Sequence, residues 1–238
     1  MSIEFPLQTN GLRRSFGWRV VVESLDLRVP AGQVYGFLGR NGAGKTTTIR
    51  MLLGILRPDS GTITWNGTEV RQTTAKLKQN IGYVSQQQHF YEWMKVERIG
   101  SFVRGFYPTW DHAEFHRLLK SLHIEPKQKV GELSGGTKMK LAMTLALAHR
   151  PAILILDEPT AGVDPIARRE ILDLLRAQVD DEGRTVLFST HHISEVEEIG
   201  DHVGVLHGGK LHYQGPVAGF AEAGKLEEAF VAIAREDQ

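Results

Sequence analysis

The chain has 238 residues, 28 basic and 28 acidic side chains and no cysteine, which excludes disulfides, thiolate metal sites and a cysteine nucleophile and suits a reducing compartment. Balanced charge without a long like-charge block gives no support to a nucleic-acid surface, and no apolar run approaches the roughly 18 residues of a membrane span. Met1-Ser2-Ile3-Glu4-Phe5-Pro6 lacks the basic-then-apolar order of a signal peptide, so the cytoplasm is the expected location and any work at a membrane calls for a partner chain.

In chain order, the stretch to about residue 33 reads as antiparallel strands. Val34-Tyr35-Gly36-Phe37-Leu38 reads as a buried strand, followed by a glycine-rich loop and a helix beginning near Gly44. Thr62 to Val70 reads as a second antiparallel piece turning at Asn66-Gly67. Ile81-Gly82-Tyr83-Val84 is another buried strand. From about Phe90 to Arg150 the pattern turns helical, with Phe115, Leu118, Leu119 and Leu122 at helix spacing in Asp111 to Leu122, and a second helix over Thr137 to Ala148. Ile153-Leu154-Ile155-Leu156 and Thr185-Val186-Leu187-Phe188 return to buried strands, and Ala221 to Ala234 reads as an amphipathic terminal helix. Near-continuous apolar strands alternating with helices predict a parallel sheet covered on both faces, with ligands at the carboxyl ends of its strands.

Chemistry concentrates at two of those ends and at one helix start. Gly39-Arg40-Asn41-Gly42-Ala43-Gly44-Lys45-Thr46 fits the P-loop spacing: glycines let successive amides converge on phosphate oxygens, Lys45 reaches the β- and γ-phosphates, and Thr46 ligates Mg²⁺. Asp157-Glu158-Pro159-Thr160 sets two carboxylates after a buried strand, Asp157 for Mg²⁺ and Glu158 as general base toward water. Taken alone that tetrapeptide reads as a strand cap; behind a P-loop it reads as catalytic. Leu133-Ser134-Gly135-Gly136 places a hydroxyl and glycine amides at a helix start, either a plain N-cap or a second phosphate cradle.

These motifs, in this order, resemble the ATP-binding subunits of ABC (ATP-binding cassette) transporters over nearly the whole chain. Residues 39–46 resemble Walker A, Leu133 to Gly136 the signature motif, and Ile153 to Glu158 Walker B. Ala161-Gly162-Val163-Asp164 resembles the D-loop, Ile81 to Gln86 the Q-loop, and Ser189-Thr190-His191 the histidine switch. The resemblance implies an α/β P-loop NTPase (RecA-like) fold with a mainly parallel sheet, an N-terminal antiparallel β-subdomain and an inserted α-helical subdomain. It divides one ABC ATPase domain into a core at 1–88 and 151–220, a helical subdomain at 89–150 and a C-terminal helix at 221–238. It implies that ATP is bound by Phe16, Gly39, Arg40, Asn41, Gly42, Ala43, Gly44, Lys45, Thr46 and Thr47, with Ser134, Gly135 and Gly136 supplied by a second subunit. Thr46, Gln86 and Asp157 would serve Mg²⁺; Glu158, His191 and Gln86 would be catalytic; Asp164 would act as the D-loop residue. His192 stands as the alternative to His191, Trp18 to Phe16, and Gln87 and Gln88 leave the glutamine register open. Thr137 departs from the glutamine common after the family's signature, which puts contacts near the ribose and dimer interface in question.

The same resemblance implies an ATPase acting as a homodimer or heterodimer around two ATP and driving a separate membrane permease, peripherally attached to the membrane's cytoplasmic face. Aromatics from Phe90, Tyr91 and Trp93 through Phe102, Phe106, Tyr107 and Trp110, with Glu92 or Arg104, would include the permease-docking surface. Tyr107-Pro108-Thr109-Trp110-Asp111, Met139-Lys140-Leu141 and the ending Leu226 to Phe230 resemble ABC-2 type exporter subunits, so export of a drug, peptide or lipid is expected. A soluble ABC ATPase of macromolecular assembly is the alternative.

Overall fold

The computed structural model describes residues 4–70, 74–220 and 230. In chain order its elements are strands β1 (Leu7–Phe16), β2 (Arg19–Leu25), β3 (Arg28–Val29) and β4 (Val34–Leu38), helix α1 (Lys45–Leu52), strands β5 (Ser60–Trp65) and β6 (Thr68–Glu69), helix α2 (Ala75–Lys78) and strand β7 (Ile81–Val84). Then come helices α3 (Val96–Arg104), α4 (His112–Ser121) and α5 (Gly135–Leu147), strand β8 (Ile153–Asp157), helix α6 (Pro165–Asp180), strand β9 (Thr185–Thr190), helix α7 (Ile193–Ile199), strands β10 (His202–His207) and β11 (Lys210–Pro216), and helix α8 (Val217–Phe220).

Two sheets form, and the sequence pattern explains why they differ. The first runs β2-β1-β5-β6 with β3 also on β1, all antiparallel. Alternation along β1 buries Leu7, Thr9 and Leu12 and leaves the other side wet, as a one-faced antiparallel sheet requires. Asn66 and Gly67 take φ of 47° and 75°, the doubly positive geometry of a tight hairpin turn. The second sheet runs β11-β10-β4-β9-β8-β7. Its five strands from β10 to β7 pair in parallel, while β11 returns antiparallel at the edge.

Every residue of β4, β8 and β9 is buried, because each face of this sheet meets its own core. Val34, Leu38, Leu154, Leu156, Val186 and Phe188 enter one core shared with α5, α6 and α7. Their alternates Tyr35, Phe37, Ile155 and Leu187 enter a second, shared with α1 and the antiparallel sheet. A third core joins α3, α4 and α5 through Ile99, Phe115, Leu119, Leu141 and Leu145. Helix α5 thus sends Met139, Met143 and Leu147 into the first core and Leu141 and Leu145 into the third, which is why it is apolar nearly all round.

Some boundaries differ from the sequence reading. Helix α5 starts at Gly135 rather than Thr137, because the Ser134 hydroxyl accepts the Thr137 N–H as its cap. The Asp111 side chain likewise caps α4 by accepting from the Glu114 N–H. The β10–β11 hairpin and α6 were not singled out from the sequence. The expected helix over Ala221 to Ala234 falls outside the described residues except for Phe230. Among the described residues no helix is long and apolar enough to cross a membrane.

Candidate phosphate-binding site

The loop between β4 and α1 is held open by its glycines. Gly42 and Gly44 adopt φ of 82° and 109°, in the region that favours glycine. A side-chain carbon on Gly44 would also lie 2.6 Å from the Val21 carbonyl oxygen. Gly44 caps α1 without any side-chain acceptor and the first turn carries no acidic residue, which leaves its amides available to an anion at the positive end of the helix.

Lys45 is buried, and its Nζ donates to the Gly39 carbonyl at 2.6 Å and the Arg40 carbonyl at 3.2 Å. The same ammonium lies 3.0 Å from Glu158 Oε1. Glu158, one residue beyond β8, takes φ of 48°; left-handed backbone at a non-glycine residue costs of order 1–3 kcal/mol and persists only where surroundings enforce it. Its N–H donates to Ser189 Oγ at 3.0 Å, and that hydroxyl donates to Asp157 Oδ1 at 2.7 Å. The carboxylate is thereby aimed at the loop, where its Oε2 meets Gln86 Nε2 at 3.5 Å and His191 Nδ1 at 3.2 Å. The imidazole contact is close without hydrogen-bond alignment, since Nδ1 makes no hydrogen bond among the described residues.

Four segments therefore converge: the start of α1 and the ends of β7, β8 and β9. Between them lies a cleft of about 310 Å³ lined by Asn41, Gly42 and Gly44 through Thr47, with Gln86, Glu158 and Val21 completing its wall. A larger cleft of about 580 Å³ beside the end of α1 and β5 gathers none of these groups, so size alone misdirects here. The donors suit a polyphosphate, combining free helix amides, a buried ammonium and close backbone approach. Of the residues expected at Mg²⁺, Thr46 and Gln86 line the cleft, whereas Asp157 is buried behind it and accepts from the Ser189 hydroxyl. Among the described residues no three acidic or histidine side chains cluster as a metal cage.

The other expected residues stand elsewhere. Gly39 and Arg40 contribute carbonyls to Lys45, and the Arg40 carbonyl also accepts from the Ala43 N–H. Phe16 is half-exposed at the end of β1, its ring 4.8 Å from the Arg14 guanidinium carbon, and is not part of the cleft wall. Trp18 is almost fully exposed. Ser134, Gly135 and Gly136 lie outside the cleft. A side-chain carbon at Gly136 would sit 2.9 Å from Ala167 Cβ and 3.6 Å from Asp164 Oδ2, so the start of α5 and the start of α6 share one face. Asp164 caps α6 by accepting from the Ile166 and Ala167 amides at 3.0 Å each.

A family model described as ABC transporter matches residues 22–161. The chain belongs to the ABC transporter family. The bacitracin transport ATP-binding protein BcrA of Bacillus licheniformis is 38% identical over 208 residues, covering 86% of this chain and 68% of that protein. The Nod factor export ATP-binding protein I of Burkholderia lata is 39% identical over 215 residues, covering 88% and 70%. A solved ATP-binding subunit of an ABC transporter superposes with a TM-score of 0.86 at 25% identity, covering 96% of this chain and 99% of the other. The P-loop fold expected from the sequence is thus the fold observed, and the chain is an ABC ATPase that uses ATP with Mg²⁺.

Sequence reading missed part of this ABC ATPase's site. Ser189 served there only as part of a motif, yet its hydroxyl holds both the Glu158 backbone and the Asp157 carboxylate. Val21 joins the cleft from β2, with nothing in its local sequence to mark it. The Lys45–Glu158 ion pair joins residues 113 positions apart and has no one-dimensional signal.

Proposed function

We propose that this chain is the ATPase subunit of an ABC exporter, pairing with a like subunit around two ATP and driving a separate membrane permease from the cytoplasmic face. The observation that carries the reading is the convergence of Lys45, Gln86 and His191 on Glu158 beside the glycine loop. Ser134 to Gly136 stand apart from that cleft, on the face that also bears Asp164. That separation supports completion of each site by the partner's Ser134 region. The relatives' transport and export names favour this over an assembly ATPase and suggest a drug, peptide or lipid cargo.

In this reading Lys45 and the loop amides hold the β- and γ-phosphates, and Thr46, Asp157 and Gln86 would hold Mg²⁺. Bound Mg²⁺ supplies Lewis-acid neutralisation of developing phosphate charge. Glu158 accepts the proton of the attacking water, His191 restrains the γ-phosphate side of the carboxylate, and Phe16 stacks on adenine. Residues 89–150 act as the permease-facing subdomain, where Tyr91, Trp93, Phe102 and Phe106 are all more than half exposed and form a chain of ring contacts at 5.4 to 6.3 Å. So large an apolar patch beside the glutamine loop suits a membrane subunit's helix.

Affinity purification of the tagged chain from membranes tests the assignment. Recovery of a polytopic partner is expected, released when Trp93 and Phe106 are replaced by serine. Recovery with soluble assembly factors alone would overturn the exporter reading.

A further inference from the structure

Glu195 is fully buried in the first turn of α7 and does not line the cleft. Its Oε1 accepts from the Thr160 hydroxyl at 2.8 Å and from Arg168 Nε at 3.0 Å. Its Oε2 accepts from the Thr190 hydroxyl at 2.6 Å. The three donors belong to three functional segments: Thr160 lies two residues past Glu158, Thr190 directly precedes His191, and Arg168 sits in the first turn of α6 that Asp164 caps. The Thr190 oxygen also accepts from the His192 N–H at 3.0 Å, so one hydroxyl pins the backbone on both sides of His191. Arg168 further reaches Ser194 Oγ at 3.2 Å, which fixes its guanidinium to α7.

Apolar side chains could hold three segments together without desolvating a carboxylate, which is costly unless every lone pair finds a donor. What the carboxylate adds is direction, since each hydrogen bond fixes an angle as well as a distance. We propose that Glu195 is a positioning residue that sets His191 against Glu158 and ties that contact, through Arg168, to the α6 turn packed on the start of α5. The proposal rests on the catalytic reading of Glu158 and His191 given above.

The test is a double-mutant cycle on the purified full-length chain, measuring ATP turnover and, separately, nucleotide affinity. Glu195→Ala is expected to lower kcat roughly 10- to 100-fold, the scale of a small misplacement of a reacting group, with ATP affinity and KM held within about threefold. Glu195→Gln, which keeps an acceptor oxygen, is expected to recover part of the loss. In a His191→Ala background, Glu195→Ala should cost less than about twofold more, because residues acting as one unit are not additive. Thr190→Val removes only the donor beside His191 and repeats the cycle if Glu195→Ala does not fold. Fully additive losses, or a loss of affinity equal to the loss of kcat, would overturn the positioning role alone. A His191→Ala chain that turns over ATP at the unsubstituted rate would overturn the catalytic reading and the inference with it.

Discussion

Lys45 and Glu158 are charged and buried at the end of the parallel sheet, whereas Tyr91, Trp93, Phe102 and Phe106 are apolar and exposed on the helical segment. Each region inverts the ordinary sorting of side chains between water and core. The first tolerates buried charge because its groups satisfy one another, Lys45 through two carbonyls and a carboxylate, Asp157 through Ser189. The second keeps its rings largely in solvent, in contact with one another. A pre-satisfied polar cluster is the mark of a site built for chemistry, and an unsatisfied apolar face that of a site built for a partner.

Four measurements test or refine that contrast. Glu158→Gln should lower ATP turnover by about 100-fold or more, the scale of losing a general base, while ATP still binds and the subunits remain paired on a sizing column. Turnover at the unsubstituted rate would remove the base from the reading. Lys45→Ala should weaken ATP binding about tenfold or more by titration calorimetry, since it deletes a charged phosphate contact. An unchanged affinity would detach Lys45 from phosphate.

A third measurement sets beside the satisfied cluster a buried group with no such partners: His149, just past α5, has both ring nitrogens without a hydrogen-bond partner among the described residues and stacks on Tyr107 at a centroid distance of 4.0 Å. Burial pushes its imidazole down from about 6.5 to about 4. The unfolded chain therefore binds more protons in that window, so stability is full above about pH 6.5 and is lost as the pH falls toward 4. His202, also lowered by burial, adds in the same direction. His149→Phe should make urea midpoints at pH 7 and pH 5 more nearly equal; an unchanged difference would show that His149 does not carry the effect. The smallest effect is expected on the aromatic face. Trp93→Ser with Phe106→Ser should shift stability by no more than about 0.5 kcal/mol per site in chemical denaturation, leaving basal ATP turnover unaltered. A large destabilisation would make those rings core, and the contrast between the two regions would fail.

What could be read in advance follows from how locally each feature is encoded. Val34 to Leu38 and Ile153 to Leu156 were legible because strands buried on both faces are apolar at every step. Strand β10 was less so: His202 and His207 bound it and Gly204 interrupts it. That glycine answers a neighbouring strand, since a side-chain carbon there would collide with the Tyr35 hydroxyl. The start of α5 was misplaced by two residues because Gly135 and Gly136 carry poor helix propensity, outweighed here by the Ser134 cap and packing of Gly136 on Ala167.

The sequence by itself determined the phosphate loop, the carboxylates after β8 and the alternation of buried strands with helices, because spacing and residue type carry the needed chemistry within a few positions. Only the tertiary structure decided that Lys45, Gln86 and His191 meet on Glu158, that Ser189 fixes the backbone beneath it, and that Glu195 joins three segments behind it. Those relations cross between strands of a parallel sheet, whose neighbours in space are far apart in the chain, so no local pattern could record them.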